Sequence, residues 1–271
     1  MAITTLDGVI AGMQAPRFVA KVVTGTLVAG RPQSLWGLAG NPGAGSYDTT
    51  LNGAILSSTS AQVAGQIPFT DPVSGNTYLA RLAGGSSGQA GHLVLADRIW
   101  VNQLTVNSTS NQDPTTPTWP ARDVAGTTNG DGILVGLETS AAASATAVTC
   151  TMTYTNSGGT NTRTATLQDA TAATATIAGA FFRFGLQAGD TGVRSIQRFV
   201  FGTAWTSGTI KAVAYRPIAS LTCLAANVPD AIDALTSGMP RLFDGSVPYF
   251  FFIPSTTTTT SINASVVFTQ G

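Results

Sequence analysis

Val148-Thr149-Cys150-Thr151-Met152-Thr153-Tyr154-Thr155 alternates without a break, apolar at each even position and threonine at each odd one. Successive side chains of a strand point to opposite faces, so this pattern gives one apolar face and one hydroxyl face. A helix is disfavoured, because β-branched threonine loses side-chain freedom there. Asn156-Ser157-Gly158-Gly159 supplies a turn, and the return strand sets Thr162, Thr164 and Thr166 against Arg163, Ala165 and Leu167. The stretch predicts a β-hairpin with one face for a core and one for water.

Working outward, short strand patterns recur between glycine, asparagine and proline turns. Strands are expected over residues 18–27, 77–82, 92–101, 133–138, 174–177, 181–186, 195–201, 209–215 and 219–225. Residues 247–253 and 262–269 predict a second hairpin across the threonine tract 256–260. Helix is expected only over 4–13, with Leu6, Val9, Ile10 and Met13 on one face, and as a turn over 229–235 starting at Asp230. Many short strands of this kind predict an all-β fold: a sandwich, jelly roll or barrel. The chain divides into an extended N-terminal arm over 1–53, a first β subdomain over 54–120 and a second β-sandwich subdomain over 121–271, or the last two form one continuous body. Residues 107–120, polar and proline-rich, read as the connection.

Composition narrows the function. Only 10% of the 271 residues are charged, against roughly a quarter in an average domain. The formal net charge is zero. A neutral, hydroxyl-rich surface suits a protein that ends in an assembly. Lys21 and Lys211 are the only lysines, and the arginines are scattered singly, so there is no basic footprint for nucleic acid. No apolar run is long enough for a membrane helix, and the first residues lack the basic start of a secretory signal. Synthesis in a cytoplasm is expected.

Catalytic groups are sparse. His92 is the single histidine and lies in an apolar run, where a core or interface role is expected. Glu138 is the single glutamate, so no Glu pair exists for glycoside chemistry. Cys150 and Cys223 lack zinc-ligand spacing, and Cys150 reads as a small buried apolar residue. The glycine-rich stretch 40–45 lacks the Lys-Ser/Thr ending of a phosphate loop. Asn129-Gly130-Asp131-Gly132 reads as a hairpin turn rather than a calcium loop. The loop 185–195 reads as a tight connection, with Asp190 bonding nearby amides. No catalytic residue, cofactor or metal site is expected, and the chain is not expected to be an enzyme.

Several stretches resemble virion structural proteins of tailed bacteriophages, particularly capsid decoration or cement proteins. They are residues 1–7 through 29–36, Gly65-Gln66-Ile67-Pro68-Phe69-Thr70, Asn76-Thr77-Tyr78-Leu79-Ala80-Arg81, residues 186–197, and residues 231–242. The resemblance implies a β-rich homo-oligomer, a trimer being favoured, on the capsid surface of a virion. It implies the major capsid protein as partner, with no direct nucleic acid and no membrane. Arg17, Phe18, Arg31 and Trp36 of the arm are the expected contacts with neighbouring subunits. Two other readings stay open. One is a tail or head-surface module recognising a host glycan, for which Trp119 and Trp205 are the loop-like aromatic candidates. The other is a tail hydrolase.

Overall fold

A computed structural model describes residues 3–143, 147–169 and 177–271. The expected strand over 174–177 lies almost wholly outside them. The elements in chain order are α1 (Leu6–Ala11), β1 (Arg17–Val23), β2 (Gln33–Ser34), β3 (Gly40–Asn41), β4 (Ala54–Ile55), β5 (Thr77–Ser86), β6 (Gly91–Leu104), β7 (Leu134–Ala141), β8 (Cys150–Asn156) and β9 (Arg163–Leu167). They continue with β10 (Phe181–Gly185), β11 (Val193–Phe201), β12 (Thr209–Cys223), β13 (Asp230–Asp233), α2 (Ala234–Ser237), β14 (Arg241–Leu242), β15 (Pro248–Pro254) and β16 (Thr260–Gln270). Among the described residues these strands form two antiparallel sheets, of six and ten strands, as the all-β reading requires.

The chain makes two compact units. The first holds residues 1–46, 57–97 and 218–271; the second holds 47–56 and 98–217. The chain enters the second unit briefly over 47–56, passes to it again within β6 and returns within β12. These bounds do not coincide with the expected breaks at 53 and 120. The last two crossings fall inside the continuous strands β6 and β12, which carry no turn or linker signal.

The first unit is a sandwich. Its six-stranded sheet runs β13-β5-β16-β1-β3, with β14 beside β5. Facing it are the first half of β6, then β15 and β2. Val19 and Lys21 on the inner face of β1 meet Leu35, Tyr249 and Phe250 from that second layer. Phe69 packs edge-on against Phe268, and Trp36 against Tyr249. The expected hairpin between 247–253 and 262–269 does not form, because β15 pairs with β6 and β2 while β16 pairs with β1 and β5. Burial explains the split. Pro-Tyr-Phe-Phe-Phe-Ile-Pro is covered on both faces, whereas β16 alternates in and out. A strand with two apolar faces needs cover on each side.

The N-terminal segment is part of this body rather than a projecting arm. β1 runs between β16 and β3. Trp36 has no exposed surface, and its Nε1 donates to the Ser46 carbonyl at 3.0 Å. A Cβ at Gly45 would sit 2.4 Å from the indole, so the glycine is there to let the loop close on the ring. The helix is capped by Thr5, whose side chain accepts from the Gly8 amide, but its apolar stripe faces outward. Val9 is buried, while Leu6, Ile10 and Met13 are exposed. Further along, β5 runs straight through Gly84 and Gly85, which read as a turn. Gly84 is required because a Cβ would meet the Ala264 Cβ and the Asn263 carbonyl at 2.8 Å. Residues expected as a turn from Asp230 instead form β13, followed by α2 with Asp233 and Thr236 in a capping box.

The second unit contains the hairpin that opened the sequence reading. Thr151 pairs with Thr166, Met152 with Ala165, Thr153 with Thr164 and Tyr154 with Arg163. Strand order is β11-β8-β9-β10-β7-β12. Met152, Tyr154, Ala165, Phe182, Phe184, Phe199, Trp100, Trp119 and Trp205 share one buried cluster. Residues 107–120, read as a connection, cover the outer edge of β11. Gln112 and Phe199 exchange backbone bonds of 3.0 and 2.8 Å, and Thr116 Oγ1 bonds both the carbonyl and the amide of Ile196. This closes an edge that would otherwise be free to pair with another chain.

Candidate functional site

Four side chains were expected to reach neighbouring subunits, and the first unit divides them. Arg31 is 6% exposed and Trp36 0%, so neither has surface to offer. The bulky apolar side chain of Trp36 is consumed by the core instead. Arg17 is half-buried at the start of β1, and Phe18 is 65% exposed.

Phe18 belongs to a continuous outward face. Val19, Lys21 and Val23 point into the sandwich, so Phe18, Ala20 and Val22 must point out. Opposite them on β16 stand Ser265, Asn263 and Ser261 in register. Next in the sheet, Ala83 and Gly85 of β5 pair with Ser265 and Asn263. Met13 bridges to Thr269, which places the exposed stripe of α1 at the end of the same sheet. The surface is apolar and hydroxyl-bearing, with the exposed Arg81 and Asp233 paired on the same face of β5 and β13. Sequence alternation alone could have found its β1 part, since Phe18 and Val22 share one parity.

In the second unit the charged groups are mostly paired with each other. Arg98 meets Glu138 at 2.5 Å with both side chains buried, and Tyr47 donates to the same carboxylate at 2.9 Å. Lys211 donates to the Asp48 carbonyl at 2.5 Å and to Gln103 at 2.7 Å, and burial lowers its pKa. These contacts fasten residues 47–56. They leave Glu138 no access to a substrate. Asp190 takes Nε and Nη2 of Arg163 at 2.9 and 3.1 Å, the Asn156 amide at 2.6 Å and the Tyr154 hydroxyl. Arg163 foremost, with Tyr154 and Asn156, holds this carboxyl down to about 2. Asp190 thus bonds side chains of the hairpin, where local amides were expected. Asp123 gathers Ala125, Thr127 and Gly130 to shape the turn before Asp131.

Burial pushes the Cys150 thiol up to about 12, which removes it as a nucleophile at neutral pH. His92 is exposed rather than in the core, with its Nδ1 3.3 Å from Thr222 Oγ1. Trp119 and Trp205, the aromatic candidates for a glycan, are each 1% exposed, and Trp119 donates to the Val193 carbonyl. Among the described residues no three His, Cys, Asp or Glu side chains could jointly hold a metal ion. No described helix is long and apolar enough to cross a membrane.

An open hollow of about 330 Å³ lies on the second unit. It is lined by Thr116, Pro117, Thr118 and Thr128 together with Thr155, Gly159, Asn161, Arg194 and Ser195. Sequence reading passed over it, because its residues come from four separate segments of the chain.

No protein-family model matches the chain, and no curated protein matches it. Among solved structures it is similar to the VP2 subviral particle of infectious bursal disease virus, with 10% identity over 96% of this chain and 80% of that one, at a TM-score of 0.19. The Gt strain of the same virus gives 11% identity, 95% and 80% coverage, and again 0.19.

Proposed function

We propose that this chain is a non-catalytic structural protein of a virus particle, and specifically a decoration protein on the capsid surface of a tailed phage. In this reading it bridges major capsid subunits, assembles as a homo-oligomer, a trimer by preference, and touches neither nucleic acid nor membrane. The observation that supports it is the outward face of the six-stranded sheet. Phe18 and Val22, at 65% and 54% exposure, stand in a surface of serine, asparagine, alanine and glycine whose charges are Arg81 and its register partner Asp233, beside the exposed Leu6, Ile10 and Met13. Such a face has little to repel a neighbour and apolar area to gain by burial. Symmetry then multiplies weak contacts.

The test adds purified protein to phage heads stripped of it, followed by electron microscopy. Density at symmetry positions between capsid subunits, lost with Phe18→Glu while the variant's melting temperature is unchanged, is the expected result. Heads left bare by the unaltered protein overturn the reading.

A further inference from the structure

The hollow on the second unit is built by two irregularities in one strand. β11 pairs with β8 as Val193 with Asn156, then Ser195 with Thr155, so Arg194 is an extra residue. The same happens between Ile196 with Tyr154 and Arg198 with Thr153, where Gln197 is extra. A bulge re-aims the side chain that it inserts. Arg194 is turned over the β8–β9 turn, where a Cβ at Gly159 would lie 3.6 Å from its Nη1. Unlike Arg163, Arg183 and Arg198, which clasp Asp190, Asp169 and Asp113, it has no carboxylate partner among the described residues. No acidic side chain lines the hollow.

Gln197 fixes which way the neighbouring hydroxyls point. Its Nε2 donates to Thr155 Oγ1 at 2.8 Å and to Ser195 Oγ at 3.0 Å. Thr155, itself 7% exposed, passes its own proton to Asn161 Oδ1 at 2.8 Å. The Ser195 proton and the Asn161 Nδ2 hydrogens are therefore left for the hollow. With the Arg194 guanidinium they make a set of donors and no charged acceptor, which matches an oxyanion. In the same hollow, Thr118 and Thr128 are exposed hydroxyls that can both donate and accept, and Pro117 offers a C–H face. Those groups suit the hydroxyls and ring of a sugar.

We propose that this hollow binds an acidic carbohydrate, its carboxylate held by Arg194, Ser195 and Asn161 and its hydroxyls by Thr118 and Thr128. The site is independent of the sheet face of the first unit, so either assignment can fail without the other.

The experiment titrates the whole protein with glucuronate, N-acetylneuraminate, glucose and sulfate, followed by amide NMR. The expected result is saturable shifts at Arg194, Ser195 and Asn161 with an acid sugar, absent with glucose. Arg194→Gln should weaken binding about tenfold or more, since bonds to a charged partner are the strong ones. Arg194→Lys should recover part of it, because charge returns without the planar fork. Arg194 is exposed and bonded to no described side chain, so both variants should keep the parent melting temperature. Sulfate binding as tightly as the acid sugars would reduce the site to a bare oxyanion site and overturn the sugar assignment. Equal binding of glucose, no shifts with either acid sugar, or affinity unchanged in Arg194→Gln would each overturn the proposal.

Discussion

Two stretches look alike as hairpins, and only one is. In β8–β9 both strands alternate, so each needs a core on one side only, and pairing with each other satisfies both. In β15–β16 one strand is apolar throughout and the other alternates. Paired side by side in one sheet they would need different cover on the same face. The first unit therefore sends β15 to the sheet with β6 and keeps β16 with β1 and β5. Adjacency in sequence favours a hairpin, but matched burial of the two strands decides it.

The largest effect should come from the strand with two buried faces. Phe252 is 0% exposed at the centre of β15. Phe252→Ala should cost about 3–5 kcal/mol, read from the urea midpoint at constant slope. A loss near that of a surface site would mean that β15 is not covered on both sides.

An intermediate effect should appear at the turn end of the true hairpin, and it should depend on pH. Asp190 is held at about 2 in the folded chain by Arg163, Tyr154 and Asn156. An unfolded aspartate titrates near 3.9. The folded value is the lower one, so the stabilisation is complete above about pH 4 and is lost as pH falls through about 2. Asp190→Asn should melt below the parent at pH 6, and the gap should close by about pH 2. A gap that stays constant across that range would detach Asp190 from the hairpin's stability.

The smallest effect belongs to the hydroxyl face. Thr166 is exposed on β9, opposite Thr151. Thr166→Ala should change stability by no more than about 0.5 kcal/mol. A larger loss would show that the threonine face is covered by something in solution, which would change the comparison between the two strand pairs.

Much of the candidate surface was hidden in the sequence for one reason. Trp36 stands in a glycine- and proline-rich stretch, which reads as open loop. Whether such a stretch is open or closed on an indole depends on residues that meet only after folding, here Gly45, Ser46 and Tyr249. The stripe Leu6, Ile10 and Met13 reads as a buried helical face for the same reason. Periodicity identifies a face, but not what lies against it. The bulges at Arg194 and Gln197 are less legible still, since an extra residue exists only relative to the partner strand.

Local chemistry was thus readable from the amino-acid sequence by itself: the strand-rich composition, the Thr-alternating hairpin, and the shortage of acid–base groups. These rest on side-chain parity, turn residues and counts, all properties of a few consecutive positions. Only the tertiary structure decided which sheet β15 and β16 join, that residues 1–46 are built into the sandwich, and that Arg194 turns into a hollow of donors. Each of those depends on contacts between distant residues, where burial and register, rather than local preference, set the outcome.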